Sequence, residues 1–185
     1  MRNKNKKILF ITQTAVMLAL LIGAQFATRG FGQFVTGSLV NLILLTSVFT
    51  AGLGSGLTVA AASPFLAFVL GLPYPLPQIV PFIAAGNAVL VTIAWLVRKH
   101  MAKGSVKNLV FASAGLIAAG TAKFLVLWIG IVKVLLPMLP ELPEQRVNII
   151  TAAFTWPQLI TALIGSALAM AVVPLVKKAL STQTH

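Results

Sequence analysis

The chain has 185 residues, of which 58% are hydrophobic and only 9% are charged, and its formal net charge at pH 7 is +12. This composition is typical of a membrane protein, and no polar stretch is long enough to form a separate soluble domain. The absence of cysteine excludes a disulfide framework, an iron–sulfur cluster and a thiolate metal site. We expect a single membrane domain, residues 1–185, with neither a cofactor nor a bound metal.

Predicted helices occupy most of the sequence. Residues 30–97 contain no charged side chain over 68 consecutive positions. A helix needs about 20 apolar residues to cross a hydrocarbon core about 30 Å thick, so this run holds roughly three crossings. Glycine and proline clusters mark the places where each helix must stop. The pattern predicts an all-α bundle of six transmembrane helices, at about residues 8–27, 36–53, 54–70, 79–97, 109–136 and 149–176.

Basic residues predict the orientation of this bundle. An even number of crossings puts both termini on one side, and a cytoplasmic placement gives that side ten Lys and Arg residues against two outside. The outer two are Arg29 and Arg146, and the inner ten are Arg2, Lys4, Lys6, Lys7, Arg98, Lys99, Lys103, Lys107, Lys177 and Lys178. We therefore expect a multi-pass protein of the cell (cytoplasmic) membrane with cytoplasmic termini. This asymmetry accounts for the positive charge without any binding of nucleic acid.

The chain lacks the residues that most membrane enzymes and ion-coupled carriers use. Its two acids, Glu141 and Glu144, and its two histidines, His100 and His185, all lie outside the predicted spans. Proton-coupled carriers usually keep a titratable group at membrane depth, and hydrolases need a metal ligand or a base. No Gly-Lys dipeptide occurs, so there is no phosphate-binding loop. We expect a noncatalytic protein, and any pumping must be powered by a partner.

Polar residues of four predicted helices fall at a similar depth, because each residue adds about 1.5 Å along a helix. The sharpest signal is Lys123, since a charge in the hydrocarbon costs about 2.5–3.5 kcal/mol and no span offers an acid to pair with it. Its ammonium needs an anion, water or backbone carbonyls. The predicted substrate-binding residues are Arg29, Gln33, Asn41, Asn87, Lys123, Trp156 and Gln158.

Each of these residues also has a structural interpretation. Lys123 can extend its stem to the outer interface, and Asn41 and Asn87 can join helices through hydrogen bonds. Trp156 can be an ordinary interfacial aromatic residue.

Small residues recur every four positions along the first predicted span, at Ala15, Ala19, Gly23 and Ala27. Such a face lets another helix approach closely. The face predicts a docking surface for a partner protein at Ala15, Ala19 and Gly23, or alternatively close packing inside the bundle.

Six spans in one short chain, the Ala15-x-x-x-Ala19 motif, a polar pocket in the outer half and the lack of an ATPase resemble the substrate-binding S components of energy-coupling factor (ECF) vitamin transporters. Segments 36–41, 63–67 and 155–160 are also similar to members of that family, and the resemblance covers the whole chain. It implies capture of a water-soluble vitamin from outside, with the loops after spans one, three and five as lids. The implied partners are a membrane coupling subunit, contacted by Ala15 and Ala19, and two cytoplasmic ATPases.

The sequence leaves alternatives for both the substrate and the class of function. Lys123 with Arg29 favours an anionic substrate such as pantothenate, while cobalamin or a pyrimidine precursor is an alternative. A second class of function is that of a noncatalytic membrane scaffold or assembly protein, whose small-residue faces serve only to pack other helices.

Overall fold

The computed structural model describes residues 2–72, 76–101 and 105–182, and in these segments every regular element is helical. The middle of the predicted loop at 71–77 and part of the basic connector at 98–108, including Lys103, lie outside the described residues. The main helices are α1 (Arg2–Thr28), α2 (Gly32–Ala51), α3 (Leu53–Val69), α4 (Val80–Met101), α5 (Val106–Leu127), α6 (Glu144–Ala153) and α7 (Trp156–Thr182). A 3-10 turn, Pro77–Ile79, precedes α4, and a π-helical segment, Trp128–Leu135, and a 3-10 turn, Leu136–Met138, continue α5.

Five helical segments of the described chain are long and apolar enough to cross a membrane, and the expected all-helical architecture is confirmed. These segments are Lys7–Thr28, Gly32–Ala51, Pro77–Met101, Val106–Met138 and Glu144–Ala179. The sixth apolar helix, α3, has 17 residues. At 1.5 Å per residue it is about 25 Å long, which is near the lower limit for a crossing. The sixth crossing and the side on which the termini lie stay predictions.

The turn between α2 and α3 is a single residue, Gly52, whose φ of 92° favours glycine. The sequence pattern predicts a flexible glycine-rich end to the second span here, but the following residues form the first turn of α3. A Cβ at Gly56 would lie 2.8 Å from the Cβ of Val48. The glycine therefore permits α2 and α3 to pack in close contact directly after the turn.

The last predicted span, 149–176, is interrupted in the structure. Helix α6 ends at Ala153, and α7 begins at Trp156. Pro157 lies in the first turn of α7, where its missing N–H is tolerated, but its ring prevents a regular helix from continuing through the preceding turn. The side chain of Gln158 donates a hydrogen bond from Nε2 to the carbonyl oxygen of Ala153 over 3.0 Å. This bond satisfies the carbonyl oxygen to which the N–H of an ordinary residue at position 157 would have donated in a continuous helix.

Two apolar clusters hold the bundle together. The larger contains residues of six helices, α1, α2, α3, α4, α5 and α7, and is centred on buried residues such as Leu44, Val91 and Leu116. The smaller lies where the π-helical segment, α6 and the start of α4 meet, and it includes Ile79, Leu127, Ile131, Ile150 and Phe154. Three members of the smaller cluster, Ile79, Leu127 and Phe154, also line the cavity described below.

Candidate functional site

Three buried polar residues from three helices meet at one point, and we call them the lysine–asparagine triad. They are Lys123 on α5, Asn41 on α2 and Asn87 on α4, with 3%, 1% and 2% of their surfaces exposed. The Nζ of Lys123 donates to Oδ1 of Asn41 over 2.6 Å and to Oδ1 of Asn87 over 2.7 Å. Hydrogen bonds from a charged donor at these distances are short and strong. Lys123 therefore points into the bundle rather than to the interface.

Close approach of the backbones accounts for the position of the triad. A Cβ at Gly165 of α7 would lie 2.5 Å from the Cβ of Asn41, so only glycine lets α7 pack directly over that residue. A Cβ at Gly86, the neighbour of Asn87, would lie 3.0 Å from Cγ of Leu127. Because Gly165 and Gly86 bring the helices together at this level, the lysine reaches both amides.

The ammonium also fixes which way the two amides face. An ammonium can only donate hydrogen bonds, so each asparagine presents its carbonyl oxygen to it and turns its NH₂ group elsewhere. The Nδ2 of Asn41 lies 3.5 Å from Oγ1 of Thr161, at the outer limit of a hydrogen bond. The Nδ2 of Asn87 donates to none of the described residues. An ammonium has three donors and Lys123 uses two, so the triad retains donors on both Lys123 and Asn87.

The triad lines a cavity with a volume of about 100 Å³. The cavity lies near the end of the bundle where α1 ends, α2 begins and α7 begins, since it is lined by residues from all three of these places. Its polar lining is unusually rich in carboxamides and contains no acid or histidine among the described residues. The amide and ammonium groups are those of Gln25, Gln33, Asn41, Asn87, Lys123 and Gln158.

Five of the seven predicted substrate-binding residues line this one cavity, and two do not. The five are Gln33, Asn41, Asn87, Lys123 and Gln158. Arg29 is exposed in the turn between α1 and α2. Trp156 is 59% exposed and packs against Phe34, with the ring centroids 5.6 Å apart.

Gln25 is a cavity residue that the sequence reasoning missed. It lies on α1, and its Oε1 is buried without a hydrogen-bond partner among the described residues. A signal was present, because Gln25 is a carboxamide near the outer end of the predicted span 8–27, at the level of Asn41 and Asn87.

The small residues of α1 face away from the bundle. Ala15, Ala19 and Gly23 are all exposed, and a Cβ at Gly23 would contact nothing within 4 Å. The opposite face of α1 carries Thr14 and Leu21, which are buried. The small face is thus not used for packing within the described part of this chain.

No metal centre is visible in the described segments: they hold no group of three His, Asp or Glu residues that could bind a metal ion together. Comparisons of the chain with protein-family models, with curated proteins and with solved structures found no match. The features of the molecule that bear on its function are the triad, the cavity and the exposed face of α1.

Proposed function

We propose that the protein is the substrate-capture subunit of an ATP-driven micronutrient uptake transporter, and that it binds a small anionic vitamin or vitamin precursor from outside the cell. In this proposal the chain crosses the cell membrane six times, with both termini in the cytoplasm. The observation that carries the proposal is the buried ammonium of Lys123 at the wall of a cavity that has no acid in its described lining.

Charge balance favours an anion over other ligands. The chain has two acids: Glu141 lies between the 3-10 turn Leu136–Met138 and α6, and Glu144 is the first residue of α6. Neither of them lines the cavity. A buried charge in a membrane bundle is costly unless it has a partner. The amide oxygens of Asn41 and Asn87 solvate the ammonium but do not neutralise it, whereas a carboxylate would do both. A cationic ligand would be repelled.

The size of the cavity implies that capture involves a conformational change. Pockets for small ligands usually measure about 300–1,000 Å³, which is several times the volume of this one. A vitamin-sized molecule therefore needs the surrounding helix ends to separate. The helix break before α7 and the π-helical segment after α5 are elements at this end of the bundle whose backbone bonding differs from that of a regular α-helix. Such segments are frequent at functional sites.

The proposed partners are a membrane coupling subunit and two cytoplasmic ATPases. The chain itself has no phosphate-binding loop, so the energy must come from another protein. The exposed face of Ala15, Ala19 and Gly23 supports docking of a partner helix, because small residues permit the close contacts that drive helix association in lipid.

A noncatalytic scaffold is the second candidate, and one observation favours it. Lys123 joins α2, α4 and α5 through its bonds to Asn41 and Asn87, which is a structural role that needs no ligand. The two functions differ in whether the purified protein carries a small molecule.

Ligand copurification tests the proposal. The full-length protein, its Lys123→Met variant and a Lys133→Met control are purified from cells grown in rich medium, and their extracts are analysed by mass spectrometry. Lys133 is an exposed lysine in the π-helical segment and does not line the cavity. We expect the same small anion with the wild type and the control, and its loss with Lys123→Met. A wild type that retains no small anion would favour the scaffold instead.

A further inference from the structure

Gln25 has an unsatisfied hydrogen-bond acceptor at the cavity wall. Its Oε1 is buried and accepts no hydrogen bond from any residue that the structure describes, although the side chain belongs to the cavity lining. A buried carbonyl oxygen without a donor is destabilising, and such groups are rare in native structures.

Two hydroxyl groups on the same helix, those of Thr14 and Thr28, are satisfied. Thr14 Oγ1 bonds to the carbonyl oxygen of Phe10 and to Ser55, and Thr28 Oγ1 donates to the carbonyl oxygen of Ala24 over 2.7 Å. The hydroxyl groups of Thr14 and Thr28 therefore have partners, whereas the Oε1 of Gln25 has none among the described residues. A leucine at this position would suit a helix that faces an apolar core, so the glutamine calls for an explanation outside the bundle's own packing.

The polar groups of the cavity form a pattern of donors and acceptors. Lys123 and Asn87 retain N–H donors, as their hydrogen bonds show, whereas Gln25 offers an acceptor. A ligand that satisfies all three groups must carry an acceptor for the first two and a donor for the third. A plain carboxylate meets only half of this requirement.

We propose that Gln25 is a substrate-binding residue whose Oε1 accepts a hydrogen bond from a hydroxyl or amide N–H of the substrate. The substrate class is then a small carboxylate that also bears such a donor. This inference rests on the proposed function, because it takes the cavity to be the site of capture, and it adds a specificity residue on α1 that the charge argument does not contain.

Direct binding of four carboxylates to the purified full-length protein tests the inference. Pantothenate and biotin carry amide or ureido N–H groups, while lipoate and nicotinate carry no donor besides the carboxyl group. Biotin and lipoate form the closest pair, since both have a pentanoate chain attached to a sulfur-containing ring. Titration calorimetry is carried out on the wild type, on Gln25→Leu and on Gln13→Leu. Gln13 is the matched control, because it lies on the same helix but does not line the cavity.

The expected result is that a donor-bearing probe binds to the wild type and loses about 2- to 12-fold in affinity in Gln25→Leu, which is the effect of one neutral hydrogen bond. Gln13→Leu should match the wild type, and any affinity for lipoate or nicotinate should be the same in all three proteins. Without probe, the melting temperature of Gln25→Leu should be unchanged or higher, because the substitution removes an unsatisfied buried oxygen.

Two results would overturn the inference while leaving the proposed function intact: equal affinity of Gln25→Leu and wild type for the donor-bearing probe, or wild-type binding of lipoate as tight as that of biotin. The comparison of biotin with lipoate uses only the wild type, so it tests the role of Gln25 even if Gln25→Leu does not fold. A wild type that binds none of the four carboxylates would overturn the anionic-substrate proposal itself, and this inference with it.

Discussion

Two buried polar clusters in the described part of the bundle differ in the number of hydrogen-bond donors that they leave unused. The first is the lysine–asparagine triad. The second is a hydroxyl triad formed by Thr14, Ser47 and Ser55, in which Ser55 Oγ lies 2.9 Å from Thr14 Oγ1 and 3.0 Å from Ser47 Oγ. Thr14 Oγ1 also bonds to the carbonyl oxygen of Phe10 over 2.7 Å. All three hydroxyl residues are buried, and none lines the cavity.

The two clusters differ in how many of their hydrogen-bonding protons are already used. Three hydroxyl groups supply three protons, and the hydroxyl triad makes three hydrogen bonds, so no donor remains. The lysine–asparagine triad keeps a donor on Lys123 and the NH₂ group of Asn87, and it carries a charge beside a cavity. Both clusters join three helices, but only the lysine–asparagine triad has the capacity to bind something else. The clusters thus predict different responses to substitution.

The largest expected effect is on ligand affinity at the lysine–asparagine triad. Under the proposed function, Lys123→Met removes a charge-assisted hydrogen bond to the anion, worth about 1.5–3 kcal/mol, and affinity should fall roughly 10- to 150-fold. Titration calorimetry with the copurified anion measures this change, with Lys133→Met as the control. An unchanged affinity would show that the lysine–asparagine triad, like the hydroxyl triad, has only a structural role.

The next effect is on the stability of the same variant without ligand. From the sequence alone, loss of an unpaired intramembrane charge should leave folding intact or improve it. The structure predicts the opposite sign, because Lys123→Met leaves the buried oxygens of Asn41 and Asn87 without a donor. We expect a loss of about 2 kcal/mol in the free energy of unfolding, measured by reversible denaturation in mixed micelles.

A triple variant sharpens this second prediction. When all polar partners of a buried network are replaced by apolar residues of similar size, the cost of unsatisfied groups disappears. Lys123→Met combined with Asn41→Leu and Asn87→Leu should therefore recover most of the stability lost by the single variant but should not recover ligand binding. A triple variant less stable than Lys123→Met would show that the amides have other structural roles.

A smaller effect is expected at the hydroxyl triad. Ser55→Ala removes two hydrogen bonds among neutral groups, and interhelical bonds of this kind contribute about 0.6 kcal/mol each on average in membranes. Stability should fall by about 1 kcal/mol on that basis, while affinity for the anion stays at the wild-type value. A loss of affinity comparable to that of Lys123→Met would show that the two clusters are coupled.

The smallest effect on the isolated protein is expected outside both clusters, on the small face of α1. Ala19→Leu replaces an exposed residue, so stability and affinity should change by less than about 0.5 kcal/mol. Coimmunoprecipitation with a membrane partner should weaken, because the larger side chain holds the partner helix away. A strong destabilisation of the isolated protein would mean that this face packs against another part of the same chain.

The sequence predicts the depth of a side chain along its helix, but it does not predict which way the side chain faces around the helix axis. The rise of about 1.5 Å per residue was enough to group Asn41, Asn87 and Lys123. Direction depends on the packing of neighbouring helices. Trp156 and Gln158 share a depth, but at about 100° per residue they are about 200° apart around α7, so only one of them can face the cavity. The structure has Gln158 in the cavity lining and Trp156 exposed.

The helix irregularities were harder to predict than the helices themselves. Pro157 predicts a disturbance of the helix, but the sequence does not specify that α6 ends at Ala153 and α7 begins at Trp156. The π-helical segment Trp128–Leu135 is apolar except for Lys133, and an α-helix would accommodate such a sequence equally well. Gln25 lies in a span whose most prominent sequence pattern is its row of small residues, and that pattern points to the opposite use of the helix.

The order of the lysine–asparagine triad along the chain has a consequence for biogenesis. Asn41 and Asn87 belong to α2 and α4, and Lys123 arrives later, on α5. Since a polypeptide is made from its amino terminus, both acceptor amides are synthesised before the ammonium that they bind. In a bilayer, the charged helix would therefore insert beside helices that already carry its acceptors. A circularly permuted gene that encodes α5 before α2 and α4 would expose the lysine to lipid alone, and its insertion efficiency should drop accordingly.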